Sequence, residues 1–132
     1  MGERTGTRDL SYSRWHRTLP PHFCFQDIDG LEYCGRCNEP ILIVSLATDH
    51  GQRHKETVRE YKLAKRAGIV AVHLFVQLGT QIEDATYQGA VYEVTGFRRR
   101  WLYPDRGELG HITPAQWETE IQQIRNKHQC AT

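Results

Sequence analysis

The run from Pro40 to Thr48 reads Pro-Ile-Leu-Ile-Val-Ser-Leu-Ala-Thr and holds no charged residue. Side chains of a strand point alternately to its two faces, so a run that is apolar at nearly every position predicts a strand buried on both faces. We place this strand at Ile41–Ala47, in the middle of a sheet. A second apolar run, Ile69 to Leu78, predicts another buried strand. Two such strands indicate an α/β architecture with helices on the faces of the sheet.

Two helical patterns accompany these strands. Arg53–Ala67 carries apolar residues at helical spacing, and Gly68 after it is a common helix end. The order strand, helix, strand predicts a parallel pair with a right-handed crossover. Thr113 followed by Pro114 predicts the cap and first turn of a final helix that extends to about Lys127.

Shorter elements complete the predicted order. Ser13 is the expected cap of a short helix that ends at Thr18. Strands at Phe23–Ile28 and Leu31–Cys34 are expected to form a hairpin at Asp29-Gly30. Tyr87–Val94 alternates and predicts an edge strand. The predicted order is αβββαβ, then a strand and a helix, in a mixed central sheet.

Length and charge limit the class of protein. The chain has 132 residues, which favours one compact domain. Its net charge of +1 argues neither for nor against a nucleic-acid partner. We expect a mobile arm at 1–13 and a single domain at 14–128. No apolar stretch approaches the roughly 18 residues that span a bilayer, and the first residues lack the apolar core of a signal peptide. A cytoplasmic location, no membrane partner and reduced cysteines are therefore expected.

The first half of the chain carries an ordered set of short motifs. They are Arg14-Trp15-His16-Arg17, Asp27-Ile28-Asp29, Leu31-Glu32-Tyr33 and Asn38-Glu39-Pro40 before the apolar strand. In order and spacing, from Arg14 to Leu78, they resemble the small phage-type members of the PD-(D/E)XK nuclease superfamily. The resemblance implies an αβββαβ core and Mg²⁺-dependent cleavage of nucleic acid.

The resemblance implies a particular site. An Asp at the hairpin binds the metal, and an acid on the next strand is followed two residues later by a lysine on the same face. Asp29 matches the first position, with Asp27 on the same strand face, and His16 is expected near the scissile phosphate. The second motif is absent, because Ser45 stands at the acid position and Ala47 at the lysine position. These two replacements predict loss of both metal affinity and the water-activating cation.

Three functions follow from this departure. The first is a degenerate, inactive nuclease-like protein that binds nucleic acid, DNA rather than RNA, or a protein of a nucleic-acid-processing or defence system, for example as a phage-encoded inhibitor. The second is an active Mg²⁺-dependent endonuclease with a migrated site, in which Asp29 and Asp49 bind the metal and Lys55 or Lys62 supplies the cation. The third is a small zinc-stabilised interaction module that uses the cysteines and has no catalysis. The oligomeric state stays open, and a dimer is compatible with all three.

Basic residues cluster at one place in the second half. A guanidinium cluster beside an aromatic ring can hold phosphates while the ring stacks on a base. The alternative is a solvated loop or strand end whose arginines pair with Asp105 or Glu108, with the tryptophan in the core. The candidate nucleic-acid-binding residues are Arg98, Arg99, Arg100 and Trp101, with Arg14 and Arg17 on the same basic face.

Four cysteines raise the possibility of a metal site. Cys34 and Cys37 form a C-x-x-C pair, and the predicted hairpin brings Cys24 and His22 near Cys34. These four residues predict a tetrahedral Cys₃His zinc site of structural type, and hence the third function, a small zinc-stabilised interaction module. The alternative is a set of ordinary reduced cysteines. A second pair, His128 and Cys130, lies near the end of the sequence.

Overall fold

A computed structural model describes residues 11–22, 24, 29–87 and 89–130. The chain forms two compact units. The first comprises Met1–Asp27 and Thr80–Glu93, and the second comprises Ile28–Gly79 and Val94–Thr132. The expected arm at 1–13 lies outside the described residues except for 11–13, which belong to a helix.

Three helices and five strands are found in the described part of the chain. The longest helix has 14 residues, and none of the described helices is long and apolar enough to cross a bilayer. In chain order the elements are α1 (Ser11–His16), β1 (Gly30–Tyr33), β2 (Pro40–Thr48), α2 (Val58–Ala67), β3 (Val70–Ile82), β4 (Val91–Tyr103), β5 (Gly110–Ile112) and α3 (Pro114–Lys127).

The strands form one mixed sheet in the order β1-β2-β3-β4-β5. β1 is antiparallel to β2, and β4 is antiparallel to β5. β2 and β3 are parallel, with Leu42 opposite Val70 and Thr48 opposite Val76, and α2 connects them. The predicted α/β class, the mixed sheet and the parallel pair are therefore confirmed.

Both faces of β2 and β3 are buried, as the apolar runs predict. On one face Leu42 and Val72 pack with Trp117 of α3. On the other face Ile43 and Ala71 pack with Ala64 of α2. The two parallel strands thus lie between two helices, because each presents apolar side chains to both sides.

The observed boundaries differ from the predicted ones at several places. α1 begins at Ser11, so Ser13 lies within the helix and is not its cap. α2 begins at Val58 and not at Arg53. β4 begins at Val91, extends to Tyr103 and lies between β3 and β5, so the predicted edge position is wrong. Burial of Trp101 and Leu102 explains why this charged segment is an interior strand. The predicted strand Phe23–Ile28 lies, apart from Cys24, outside the described residues.

Candidate metal centre

The turn between β1 and β2 holds two cysteines in a closed loop. The backbone N–H of Cys34 donates to Glu39 O at 2.9 Å, and the N–H of Asn38 donates to Cys34 O at 2.8 Å. Asn38 has a φ of 64°, a left-handed conformation that asparagine adopts more readily than most residues. These constraints fix Cys37 on a tight turn beside Cys34.

The end of α3 brings two more sulfur and nitrogen atoms to the same place. Thr113 accepts a hydrogen bond from Gln116 N, and the Gln116 side chain accepts one from Thr113 N, which forms a capping box at the start of the helix. Buried Trp117 anchors the helix to the sheet. At its other end His128 has left the helical conformation, and Cys130 follows in an irregular segment.

The four side chains converge. The Sγ atoms of Cys34 and Cys130 are 3.6 Å apart, and Cys37 Sγ lies 3.2 Å from His128 Nε2. The possible ligand atoms of all four residues lie within 4.8 Å of one another. Cys34 is buried and Cys37 is exposed, so the group lies at the border between core and solvent.

The two closest sulfurs differ in acidity. The backbone N–H groups of Cys37 and Arg36 donate to Cys34 Sγ and lower the pKa of this thiol to about 6. Hydrogen bonds to the sulfurs of Cys37 and Cys34, together with burial, raise the pKa of Cys130 to about 11. One thiolate next to one thiol is the arrangement expected for crowded sulfurs that share protons. A bound cation favours the thiolate form of all three cysteines.

The predicted zinc ligands correspond to this cluster in part. Cys34 and Cys37 belong to it. His22 and Cys24 lie in the first unit and are not members. Their places are taken by His128 and Cys130, which the sequence alone indicates as a separate pair. The signal for this pair is the short H-x-C spacing, but nothing local indicates that it meets a turn about ninety positions earlier.

A cleft borders the cluster. It has a volume of about 710 Å³ and includes Cys37 and His128 in its wall. The ends of α2 and α3 and the start of β2 form most of its surface. The charged side chains in its wall are Glu39, Arg106, Glu120 and Lys127.

Asp29 and Lys55 of the nuclease-like set come together in the second unit. Asp29 Oδ2 accepts hydrogen bonds from Leu46 N at 2.9 Å and from Lys55 Nζ at 2.9 Å. Lys55 Nζ also donates to Leu46 O at 2.6 Å. Although partial burial raises it, the bonds from Leu46 and Lys55 hold the pKa of Asp29 below its usual value.

Ser45 lies inside the protein. It is fully buried and faces His73 across the parallel strands, with 3.1 Å between His73 Nδ1 and Ser45 Oγ. Burial lowers the pKa of His73 to about 4, so its imidazole is neutral near pH 7. Among the described residues, His73 Nε2 has no hydrogen-bond partner. A buried hydroxyl–imidazole pair thus occupies the strand position where the resemblance places an acid.

Asp49 is held by neighbouring side chains. Arg98 Nη2 donates to Asp49 Oδ1 at 2.6 Å, and Arg98 Nε and Gln77 Nε2 each donate to Asp49 Oδ2 at 3.0 Å. The Arg98 guanidinium keeps the pKa of this carboxyl far below its usual range. Asp27 lies outside the described residues, and His16 lies in α1 of the first unit. A catalytic role for these residues stays a prediction.

The arginine run lies within β4 and has intramolecular partners. Arg98 pairs with Asp49 and Arg99 with Glu120, and not with Asp105 or Glu108 as the alternative expects. Trp101 is buried, 5.9 Å from Trp117 between ring centroids. Arg100 is exposed, and Arg14 and Arg17 belong to the first unit. A role of these residues in binding nucleic acid stays a prediction.

The chain matches no protein-family model, no curated protein and no solved structure.

Proposed function

We propose that this protein is a zinc-stabilised interaction module in which Cys34, Cys37, His128 and Cys130 hold one Zn²⁺ ion. The proposal rests on the convergence of three thiols and one imidazole within 4.8 Å. Three Cys sulfurs and one His nitrogen are a ligand set of structural zinc sites.

The distances fit a tetrahedron. With Zn–S bonds of about 2.3 Å and Zn–N bonds of about 2.0 Å, the edges of the tetrahedron measure roughly 3.8 Å between sulfurs and roughly 3.5 Å between sulfur and nitrogen. The separations of 3.6 Å for Cys34–Cys130 and 3.2 Å for Cys37–His128 are close to these edges. Small movements of the side chains therefore suffice to bind the ion.

Four protein ligands favour a structural role over a catalytic one, because no coordination position is left for water. The ion would join the β1–β2 turn to the end of α3, across 91 positions from Cys37 to His128. In the chain-entropy model, a cross-link that closes a loop of this length stabilises the fold by about 4–5 kcal/mol. The wall of the adjacent cleft includes two ligands, Cys37 and His128, so the ion would also fix the shape of this candidate contact surface.

Elemental analysis of the purified protein tests the proposal. We expect one zinc ion per chain, and loss of most of it in His128→Ala and Cys37→Ser. Cys24→Ser and His22→Gln are the matched controls, because both residues lie outside the cluster. Substitution by Co²⁺ gives a second readout, the visible absorption of a tetrahedral cobalt thiolate. Full zinc retention in His128→Ala, or zinc loss in the controls, would contradict the proposed ligand set.

A second candidate function is a degenerate PD-(D/E)XK-like protein that binds nucleic acid or a protein of a nucleic-acid-processing system. The observation that favours it is the contact of Asp29 with Lys55 beside Leu46, at the strand where the resemblance places the second motif. Incubation with DNA and RNA in Mg²⁺ or Mn²⁺ should give no cleavage. Gel-shift binding that weakens with salt and with Arg100→Ala would support a nucleic-acid partner. Cleavage abolished by Asp29→Ala would show an active enzyme instead.

A further inference from the structure

The three cysteines of the cluster are not equivalent. Cys34 Sγ and Cys130 Sγ face each other at 3.6 Å, whereas Cys37 Sγ is directed at the His128 ring at 3.2 Å. We propose that Cys34 and Cys130 are a site of oxidative modification, where a peroxide forms a disulfide and thereby expels the zinc ion. This inference rests on the zinc site proposed above.

The backbone around the pair permits the bond. A disulfide needs a sulfur–sulfur distance of about 2.05 Å, so the two atoms must approach by roughly 1.5 Å. Cys34 is fixed by the hydrogen bonds of the β1–β2 turn. Cys130 lies beyond α3 in an irregular segment, which can move without breaking helix or strand hydrogen bonds. The approach can therefore come from the Cys130 side.

Exposure sets the order of the two steps. Within the pair at 3.6 Å, Cys34 is 1% exposed and Cys130 is intermediate, so a peroxide reaches Cys130 before Cys34. Cys37 is more exposed than either, but its sulfur contacts the His128 ring at 3.2 Å. In the zinc-bound cluster Cys130 is a thiolate, because the cation favours this form of its ligands. This thiolate attacks one peroxide oxygen, the O–O bond breaks, hydroxide departs, and Cys130 becomes a sulfenic acid. The Cys34 thiolate then attacks this sulfur, the S–S bond forms and the S–O bond breaks, with hydroxide leaving again. Two electrons pass from the thiolates to the peroxide, and two protons convert the hydroxides to water.

The reaction replaces one cross-link by another. Two of the four zinc ligands are consumed, and Cys37 with His128 alone do not complete a tetrahedral site. Zinc leaves as Zn²⁺, while the turn stays joined to the end of α3 through the disulfide. Oxidation would thus leave Cys37 and His128 in the wall of the cleft without a metal ion. The chain segments that carry them would stay joined by the disulfide.

The test uses the full chain with its zinc content measured first. Hydrogen peroxide at the concentration of the protein is added, zinc release is followed with a metal-sensitive dye, and cross-links are mapped by mass spectrometry without reduction. We expect one zinc ion released for each Cys34–Cys130 disulfide formed. Cys24→Ser should behave as the unchanged protein does. Cys130→Ser should form no disulfide with Cys34, and any zinc that it still holds should leave more slowly.

The outcomes separate the two proposals. Absence of zinc before oxidation overturns the zinc module and the release of zinc together. Zinc that is present but retained after peroxide overturns only the present inference. Release accompanied by a Cys34–Cys37 disulfide, or by sulfinic acid without a cross-link, also overturns it while leaving the zinc site standing.

Discussion

The Lys55 ammonium and the Asp29 carboxylate form an ion pair, with 2.9 Å between Nζ and Oδ2. The same ammonium donates to Leu46 O at 2.6 Å. Carboxylate and carbonyl oxygens are the ligands that Mg²⁺ prefers. Here the Asp29 carboxylate and the Leu46 carbonyl both accept hydrogen bonds from the Lys55 ammonium. The pair therefore explains how Asp29 is neutralised without a divalent ion.

Removing this ammonium should raise the pKa of Asp29. In Lys55→Met, partial burial continues to disfavour the charged carboxyl while the favourable bond from Lys55 is lost. A carboxyl titration by NMR checks the expected upward shift. Lys62→Met, on the exposed surface of α2, is the matched control and should leave Asp29 unchanged. An unaltered titration in Lys55→Met would mean that the ion pair is absent in solution.

Arg98 and Arg100 should differ sharply in their effect on stability. The Arg98–Asp49 pair is mostly buried, with side chains 13% and 10% exposed. Arg98→Ala leaves a partly buried carboxylate that keeps only the donors Gln77 and Gly51, so we expect a loss of about 1–3 kcal/mol in the free energy of unfolding. Arg100→Ala, at an exposed position of the same strand, should change it by less than about 0.5 kcal/mol. Denaturant titration measures both, and equal effects would contradict the buried pair.

Because His73 is buried and neutral, we expect the folded protein to lose stability in mild acid. Burial, the main cause, holds the folded-state pKa of His73 at about 4, below the usual histidine value of 6.5, while Lys55, Asp29 and Arg100 add smaller effects. Between these values the unfolded chain binds a proton that the folded protein does not, so stability falls as the pH drops, by up to about 1.4 kcal/mol per pH unit. His73→Gln should flatten this slope, whereas exposed His54→Gln should not. Unfolding curves from pH 7 to pH 4 provide the measurement.

Thr113, the cap of α3, should contribute more to the stability of the protein than Thr119 inside the same helix. Thr113 accepts a hydrogen bond from Gln116 N within the capping box, so Thr113→Ala should cost about 1 kcal/mol. Thr119 donates its hydroxyl to Ala115 O inside the helix, and Thr119→Ala should be close to neutral because this bond only replaces contact with water. Thermal unfolding of the two variants makes the comparison. A neutral Thr113→Ala would show that packing of Trp117 alone fixes the start of the helix.

Local patterns account for the parts of the fold that the sequence predicts. The uncharged run ending at Thr48 and the Thr113-Pro114 start of α3 depend on neighbouring residues only, and both are confirmed. The local pattern does not indicate the interior position of β4, because Arg98 and Arg99 are neutralised by Asp49 and Glu120, which are distant in sequence.

Distance along the sequence also limits what can be predicted of the candidate metal site. Cys34 and Cys37 stand out through their short spacing, so half of the cluster could be found from the sequence. His128 lies 91 positions from Cys37, and Cys130 lies 96 positions from Cys34. Only the complete packing of α3 against the sheet places these residues together, and no periodicity in the sequence encodes that contact.

This separation has a consequence for biosynthesis. A nascent chain carries Cys34 and Cys37 early, but His128 and Cys130 emerge only after every strand and helix of the sheet has been made. All five strands are synthesised before α3, so the sheet can assemble while the turn still lacks two of the four residues of the cluster. In the proposed zinc module, the ion would then be captured as a final step, after the ribosome has released enough chain to bring α3 back to the turn.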